Sequence, residues 1–437
     1  MAGDVHQTTV GDYVTLVRGT TYKGALVGAP GPALLGLGSI EPGGGFRIGN
    51  YKTYGGDCPE ELMLFPGDIY ASLKGATKDG KMIGSVARVP SSVSTGRLTQ
   101  DTVKLVFHDR DPIAETYLYW VLRTPQYRDY CAGHAMGSAV VALSRRDFLS
   151  YPVPALTTLR RMVIAILDAI EEKIELNRRM NETLEAMARA HFKSWFIDFD
   201  PVRAKVESRD HGLPQHLVDL FPDSFEDSEL GEIPTGWEAA TLSDFAALNP
   251  ESWTKDTRPE VINYVDLSNT KWGHIDEVTS YSKQDAPSRA QRVLRPLDTI
   301  VGTVRPGNGS YALISAEGLT GSTGFAVLRP EKPEYAEFVY LAASAPERTE
   351  RLAHLADGAA YPAVRPEVVA ATQVVKPGAA VMQSFSSIVG MTILKVAATE
   401  AEIGTLARLR DTLLPKLISG YLGVKDGAPS LGIQRSI

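Results

Sequence analysis

The chain has 437 residues, 43% of them hydrophobic and 22% charged, with a formal net charge of −7 and two widely separated cysteines, Cys58 and Cys131. That length makes room for about two to four domains with cores of their own, while the charge argues against a uniformly basic nucleic-acid binder. Two cysteines exclude a disulfide framework or a four-thiolate zinc site, and without a membrane-length apolar run or a signal-peptide core in Met1–Val10 the expected compartment is the cytoplasm, with no membrane partner.

Residues 1–9 read as a loose leader. From Val10 to about Ala155, short apolar runs alternate with Gly and Pro, as in a domain of short strands and loops (1–155). Leu62–Tyr70 reads as a turn entering a strand, Ala114–Leu122 as a short helix, and Arg128–His134 as the end of another. From Leu156 to Phe199 neither Pro nor Gly occurs. Val163, Ile170 and Leu184, together with Ile166, Met180 and Met187, fall at heptad spacing and predict one apolar helix face. The 41 residues from Leu156 to Phe196 would span roughly 60 Å, too long for a helix without a long partner. Asn177 sits in that stripe, where one polar side chain fixes register.

An acidic connector (201–236) follows the first long helix (156–200). A second domain (237–378) then leads into a second long helix (379–424) and a tail (425–437). Phe385, Ile388, Val389, Val396, Ile403, Leu406, Leu409, Leu413 and Leu417 give this helix its stripe, and Pro415 is expected to kink or end it. The second half repeats the first. Asp12 recurs as Asp244, Leu64, Pro66 and Asp68 as Leu294, Pro296 and Asp298, Pro125 and Gly137 as Pro346 and Gly358, and Ile166 and Leu184 as Ile388 and Leu406. The offset drifts slowly, as insertions in one copy would make it. The order domain, helix, domain, helix predicts that the second helix returns antiparallel along the first. The expected fold class is α+β: two similar mixed domains separated by an antiparallel two-helix coiled coil, related by a pseudo-two-fold axis.

The words on the helices resemble a known family. Asn181–Arg189 continues into Phe192-Lys193-Ser194-Trp195-Phe196 and Asp198-Phe199-Asp200-Pro201-Val202. Leu220–Phe225, Gly231–Glu238 and the closing Leu413–Gly420 belong to the same phrasing. Together they resemble the specificity subunit of type I restriction–modification systems, in that family's order and over nearly the whole chain. The resemblance implies a non-catalytic subunit that reads a bipartite DNA sequence with two target-recognition domains and recruits two methyltransferase subunits. Restriction subunits then add ATP-driven translocation and cleavage. S-adenosylmethionine and ATP would belong to those partners, and this chain would carry no cofactor of its own.

By aligned position, the family's DNA-facing loops fall on Lys74, Lys78 and Lys81, and on Gly137 to Arg146 with Ser138, Ser144, Arg145 and Arg146. In the second domain they fall on Arg305, Asn308 and Ser310, and on Tyr361 and Arg365. Such loops are also ordinary solvated surface. Phe192, Trp195, Phe196 and Phe199 would dock the methyltransferase subunits or, equally, close the helices onto the second domain. Residues 1–157 carry 15 basic and 14 acidic side chains, and 237–377 carry 14 and 18, so DNA affinity must come from local basic loops or from partners.

The contrasting reading is a self-contained methyltransferase or nuclease with drifted motifs. Its parts are missing. Asn249-Pro250 is followed by Glu251 and Ser252 rather than by Pro and an aromatic residue. The Gly43–Gly49 run lacks the Lys-Ser/Thr of a phosphate loop. Glu171-Glu172-Lys173 lies inside a helix, and the histidines show no metal-ligand spacing. A coiled-coil scaffold without DNA would not need two matched loop-rich heads.

Overall fold

The computed structural model describes residues 7–49, 51–75, 81–137, 141–210, 212–254, 256–358 and 361–419. The chain forms two compact units. Unit 1 takes residues up to Leu176 and from Ile403 onward, and unit 2 takes Asn177–Glu402. Each therefore contains one head and a segment of each long helix.

Unit 1 contains β1 (Val14–Arg18), β2 (Ala33–Leu35), β3 (Met63–Leu64), β4 (Ile69–Ser72), β5 (Val86–Arg88), β6 (Gly96–Leu98) and β7 (Thr102–Phe107). Helices α1 (Pro112–Val121), α2 (Pro125–His134) and α3 (Arg145–Leu149) follow. One sheet has the order β1-β7-β4-β5, all antiparallel. The other is β2-β6-β3, with β2 and β6 parallel. Asp111 and Thr124 cap α1 and α2, each with Pro in the first turn, which is why the chain can turn so sharply between them.

The first long helix, α4, runs Thr158–Phe196, then α5 (Asp200–Val206) and α6 (Gln215–Val218) open the connector. Unit 2 continues with β8 (Phe225–Ser228), β9 (Gly231–Pro234), β10 (Glu238–Thr241), β11 (Ala246–Leu248), β12 (Val261–Val265), β13 (Thr270–Lys271), β14 (His274–Ile275), β15 (Thr279–Ser282) and β16 (Ala290–Leu294). After these come β17 (Thr299–Gly302), β18 (Tyr311–Leu313), β19 (Leu319–Ser322), β20 (Phe325–Pro330), α7 (Ala336–Ala343), α8 (Pro346–Leu355), α9 (Pro366–Ala370), β21 (Gln373–Lys376) and the second long helix α10 (Ala379–Ser419).

The head of unit 2 repeats that of unit 1. The sheet β11-β20-β17-β18 has the order of β1-β7-β4-β5. The sheet β15-β12-β19-β16 repeats the parallel and antiparallel pairs of β2-β6-β3 and adds the edge strand β15. The entry turns are also alike: Thr9 N–H donates to Asp12 at 2.7 Å, and Thr241 N–H to Asp244 at 2.7 Å. Asp68 and Asp298 each cap the turn before the central strand and pair with a cation of the neighbouring strand, Lys104 at 2.6 Å and Arg329 at 2.8 Å. The duplication read from sequence offsets thus reappears in the strand order and in the carboxylates that cap matching turns.

In unit 1, Val163, Ile164, Leu167, Leu414 and Leu417 bury themselves in the head's core. Arg160 donates to Leu417 O, and Arg410 pairs with Glu171, which fastens the two helix segments to each other. In unit 2, Asn177 and Asn181 are buried, and they donate to Glu402 and Glu400 across the helix pair. The polar position expected to fix register is therefore a hydrogen-bonded crossing between helices.

Three expectations need correction. Ile166 and Met187 are about half exposed, because the heads cover only the Val163–Ile170–Ile174 side of the stripe and periodicity alone does not say how wide the covered face is. Of the two outcomes expected of Pro415, a kink or an end, the end is overturned, since Pro415 lies inside α10. It removes one backbone donor near the helix end, while Leu414 and Leu417 are anchored in the core of unit 1 and hold the last turn in place. Finally, α10 is long and apolar enough, by length and composition, to cross a membrane, which departs from the absence of any such run. Part of its apolar face is committed to protein cores, Val381, Met382, Phe385, Val389 and Ile393 in unit 2 and Leu414 and Leu417 in unit 1, while Met391 and Leu394 are exposed.

Candidate nucleic-acid interface

In unit 1 the segment after β4 lies against the segment joining α2 to α3. Gly75 N–H donates to Val141 O at 2.8 Å, Leu143 N–H to Leu73 O at 2.9 Å, and Met136 and Ala142 exchange backbone bonds at 2.9 Å. In unit 2 the segment after β17 meets the segment joining α8 to α9 in the same way. Arg305 N–H donates to Pro362 O at 2.7 Å, Val364 N–H to Thr303 O at 2.9 Å, and Asp357 and Ala363 exchange bonds at 3.1 and 2.9 Å. The fold thus joins the two candidate loops of each head into one ledge. They lie about 60 residues apart in sequence, a separation the bridges Lys74↔Ala142 and Val304↔Ala363 close.

On the first ledge Lys74 is ion-paired with Asp101 at 2.8 Å. The Lys81 carbonyl accepts from Arg128, which fixes the loop's return. Ser144 caps α3, accepting from Asp147 N–H at 3.0 Å and donating to its carboxylate at 2.6 Å. Arg145 and Arg146 are exposed in the first turn that this cap creates. Lys78 and Ser138 lie outside the described residues.

On the second ledge Arg305 has a left-handed backbone (φ 49°) and its guanidinium sits 4.9 Å from the centre of the Tyr361 ring. Tyr361 is 71% exposed, so this stack is a surface feature that carries both a cation and a flat apolar face. Asn308 is exposed at the end of the turn Pro306–Asn308, and Arg365 is exposed just before α9. Ser310 is a correction: it is buried, its hydroxyl donates to Leu267 O at 3.1 Å, and its carbonyl accepts from Gly302 N–H. Its hydroxyl is taken up in holding the loop base and does not face solvent.

The four aromatics of the first long helix are a second correction. Phe192, Trp195, Phe196 and Phe199 are all less than a tenth exposed and belong to the core of unit 2. Phe196 packs edge-on against Phe338 at 5.0 Å and Phe385 at 4.8 Å, and Trp195 against Phe221 at 4.9 Å. Of the two readings left open, closure of the helix onto the second head is the one these contacts satisfy. Phe192 and Phe196 also line an apolar groove of about 470 Å³ together with Ile197, Leu341, Ala342 and Pro346.

Each head is fastened to its helix segments by polar groups. In unit 1 Arg88 pairs with Asp168 at 2.7 Å and Trp120 Nε1 donates to the same carboxylate at 3.0 Å. Arg123, with its side chain 4% exposed, pairs with Glu171 at 3.1 Å. Burial pushes the Glu171 carboxyl up, but the guanidinium groups of Arg123, Arg410 and Arg88 outweigh it and hold the group below the usual carboxylate range. In unit 2 Arg189 donates to Ser344 O and to the Tyr311 hydroxyl, and His274 lies between Glu185 at 3.9 Å and Glu400 at 3.6 Å. Burial pushes Glu185 up against the opposing pull of His274 and Arg189.

The hairpin of β13 and β14 was not singled out from the sequence. Trp272 at its tip is 52% exposed. The signal was available as Lys271-Trp272-Gly273-His274, a Gly-containing turn between short polar strands. Among the described residues no cluster of His, Cys, Asp or Glu could hold a metal ion.

A duplicated protein with two loop-bearing heads, each fastened to segments of two long helices, is the class these features define. No family model matches the chain. It is 26% identical over 330 residues to the type I restriction enzyme HindI specificity subunit of Haemophilus influenzae, covering 63% of this chain and 69% of that one. It is 23% identical over 354 residues to the type I restriction enzyme MjaIX specificity subunit of Methanocaldococcus jannaschii, covering 79% and 76%. The crystal structure of a type I restriction-modification S subunit from M. genitalium shares the fold, with a TM-score of 0.53 at 15% identity over 95% of this chain and 98% of that one. The chain is homologous to the specificity subunits of type I restriction enzymes, as the words on its helices imply.

Proposed function

We propose that this chain is the DNA-specificity subunit of a type I restriction–modification complex and performs no chemistry itself. The observation that carries the reading is the paired ledge. Two heads with one hydrogen-bond frame present different exposed side chains, Arg145 and Arg146 on one, Arg305, Asn308, Tyr361 and Arg365 on the other. A shared frame with dissimilar tips suits two readers of two different half-sites, with guanidinium forks matching guanine edges and flanking cations matching phosphates. Lys74 and Lys81 extend the first of these surfaces, and Lys78 and Ser138 join the proposal by aligned position alone.

The recognition domains are 1–155 and 237–378. The helices 156–200 and 379–424 form an antiparallel coiled coil that relates the heads by a pseudo-two-fold axis and sets the gap between half-sites. Supporting this, each unit combines the early part of one long helix with the late part of the other. Two methyltransferase subunits dock on the helices, and restriction subunits join through them. S-adenosylmethionine and ATP are bound by those partners. With the aromatic segment buried, exposed apolar residues of the helix segments are the better docking surface on each unit, Met162, Ile166 and Leu176 on one and Met187, Met391 and Leu394 on the other.

The test is methylation of DNA by this chain alone and with a methyltransferase subunit, read by sequencing modified bases. Methylation at one bipartite site only when both are present is expected. Methyl transfer by the single chain overturns the reading. Removing a heptad from both helices in register should shorten the recognised gap by about 3 base pairs, with the half-sequences unchanged.

A further inference from the structure

Trp272 is an exposed indole on a strained backbone. A φ of 50° is uncommon for any residue other than glycine, and for a bulky one it is an outlier. The equivalent place in unit 1 holds a glycine. There, Gly45 N–H donates to Val86 O at 2.8 Å beneath the bridge Ile40↔Phe46. In unit 2, Gly273 N–H donates to Tyr311 O at 2.9 Å beneath the pair Thr270↔Ile275. The residue before the donor is Gly44 (φ 107°) in one head and Trp272 in the other. A tip whose geometry suits glycine carries the largest side chain there is, and that side chain is not in a core.

Its surroundings fix where it faces. Trp272 N–H donates to Gly309 O at 2.6 Å. The ring lies so close over Gly309 that a Cβ there would come within 2.6 Å of it. Tyr311 meets it edge-on at 6.0 Å. The turn it covers is Pro306–Asn308, which begins at Arg305, itself left-handed at φ 49°. Behind the tip, His274 is held between Glu185 and Glu400 of the two long helices. A half-exposed indole is thus clamped from behind and seated against the loop that carries Arg305 and Asn308. Observed strain at such a place points to function, because the surrounding structure must hold the residue there.

We propose that Trp272 makes an apolar contact with the bases of the half-site read by unit 2, alongside Arg305. The inference rests on the reading of this ledge as DNA-facing. The partner is duplex DNA rather than protein because the turn on which the indole packs, through Gly309, is the one that carries exposed Arg305 and Asn308. An aromatic face contributes without neutralising phosphate, so its loss weakens binding and leaves the salt slope unchanged. It also reads shape and the thymine methyl, so its loss relaxes selectivity at neighbouring positions of one half-site.

The experiment uses the full chain assembled with its methyltransferase subunit, and compares Trp272→Ala, Trp272→Phe and Arg305→Ala on libraries randomised in each half-site and across a salt series. Trp272→Ala should lower affinity for the preferred site roughly ten-fold, relax the unit 2 half only, and keep the salt slope. Trp272→Phe should restore most of the affinity. If Trp272→Ala also lowers the salt slope to that of Arg305→Ala, the indole merely props the loop and the proposal fails. If Arg305→Ala weakens binding and Trp272→Ala does not, the proposal fails while the DNA-facing reading stands. If neither substitution changes binding, the DNA-facing reading of the ledge fails and takes the proposal with it.

Discussion

In unit 1 the head meets its helix segments through an aliphatic seam of Val163, Ile164 and Leu167 and through ion pairs. Arg88 and Trp120 converge on Asp168, and Arg123 and Arg410 on Glu171. In unit 2 the corresponding junction adds a cluster of aromatic rings to its polar contacts, with Phe192, Trp195 and Phe196 packed against Phe338 and Phe385. The backbone frame is the same on both sides, from the capped entry turn to the paired ledge. The comparison teaches that the frame is dictated by hydrogen bonds every copy must make, whereas the filling needs only to be complementary. A charged junction fixes one orientation and responds to pH. Packed rings contribute more apolar burial and carry no charge of their own.

The strongest way to break this contrast is to remove one member of each junction. Glu171→Ala leaves the buried Arg123 without its carboxylate and should cost unit 1 about 3–5 kcal/mol. Phe196→Ala opens a cavity in the core of unit 2 and should cost a similar ~3–5 kcal/mol. Hydrogen exchange resolved by peptide is the measurement: each substitution should loosen its own unit's amides. Equal loosening of both units by either one would mean the junctions are not independent.

Acid should separate the two next. Glu171 is held below its ordinary value of about 4.3, so its contribution to stability is complete above that value and is lost as pH falls through the lower folded value. Glu185 is raised, so its contribution is present below the ordinary value and declines as pH rises through the folded one. Unit 1 should therefore loosen first on acidification, and Glu171→Gln should flatten that response in exchange measured between neutral pH and pH 3.

Loop substitutions sharpen the comparison at the level of recognition. Arg305→Ala or Arg365→Ala should change one half-site, and Arg145→Ala or Arg146→Ala the other, by about 1–3 kcal/mol for a base-reading fork. Selectivity profiles on randomised half-sites check this, and a substitution that alters both halves equally would remove the division of labour. The smallest effect is expected on stability from Lys74→Ala. Its exposed pair with Asp101 is worth at most ~1 kcal/mol, so unchanged thermal unfolding with altered DNA affinity would mark Lys74 as a contact rather than a strut.

Much of this was written locally in the chain. The heptad rows and the absence of Pro and Gly set the first long helix, observed over Thr158–Phe196. The pairs Asp12/Asp244 and Asp68/Asp298 were legible because a capping carboxylate acts on the backbone three residues away, so its spacing survives in sequence. Register at Asn177 was legible for a similar reason: a polar residue in an apolar stripe has few other uses. What the sequence could not specify was which neighbour covers each face. Phe196 and Ile166 look alike in a heptad, yet one is core and the other half exposed, since helix periodicity says which residues share a face and not what lies opposite. Ser310 and Arg305 share one loop, and only the path of the chain past Leu267 decided that the first is buried and the second exposed. The ledges and the indole over Gly309 depend on contacts between residues tens of positions apart, and those exist only once loop closure has been compensated by the packed sheets beneath them.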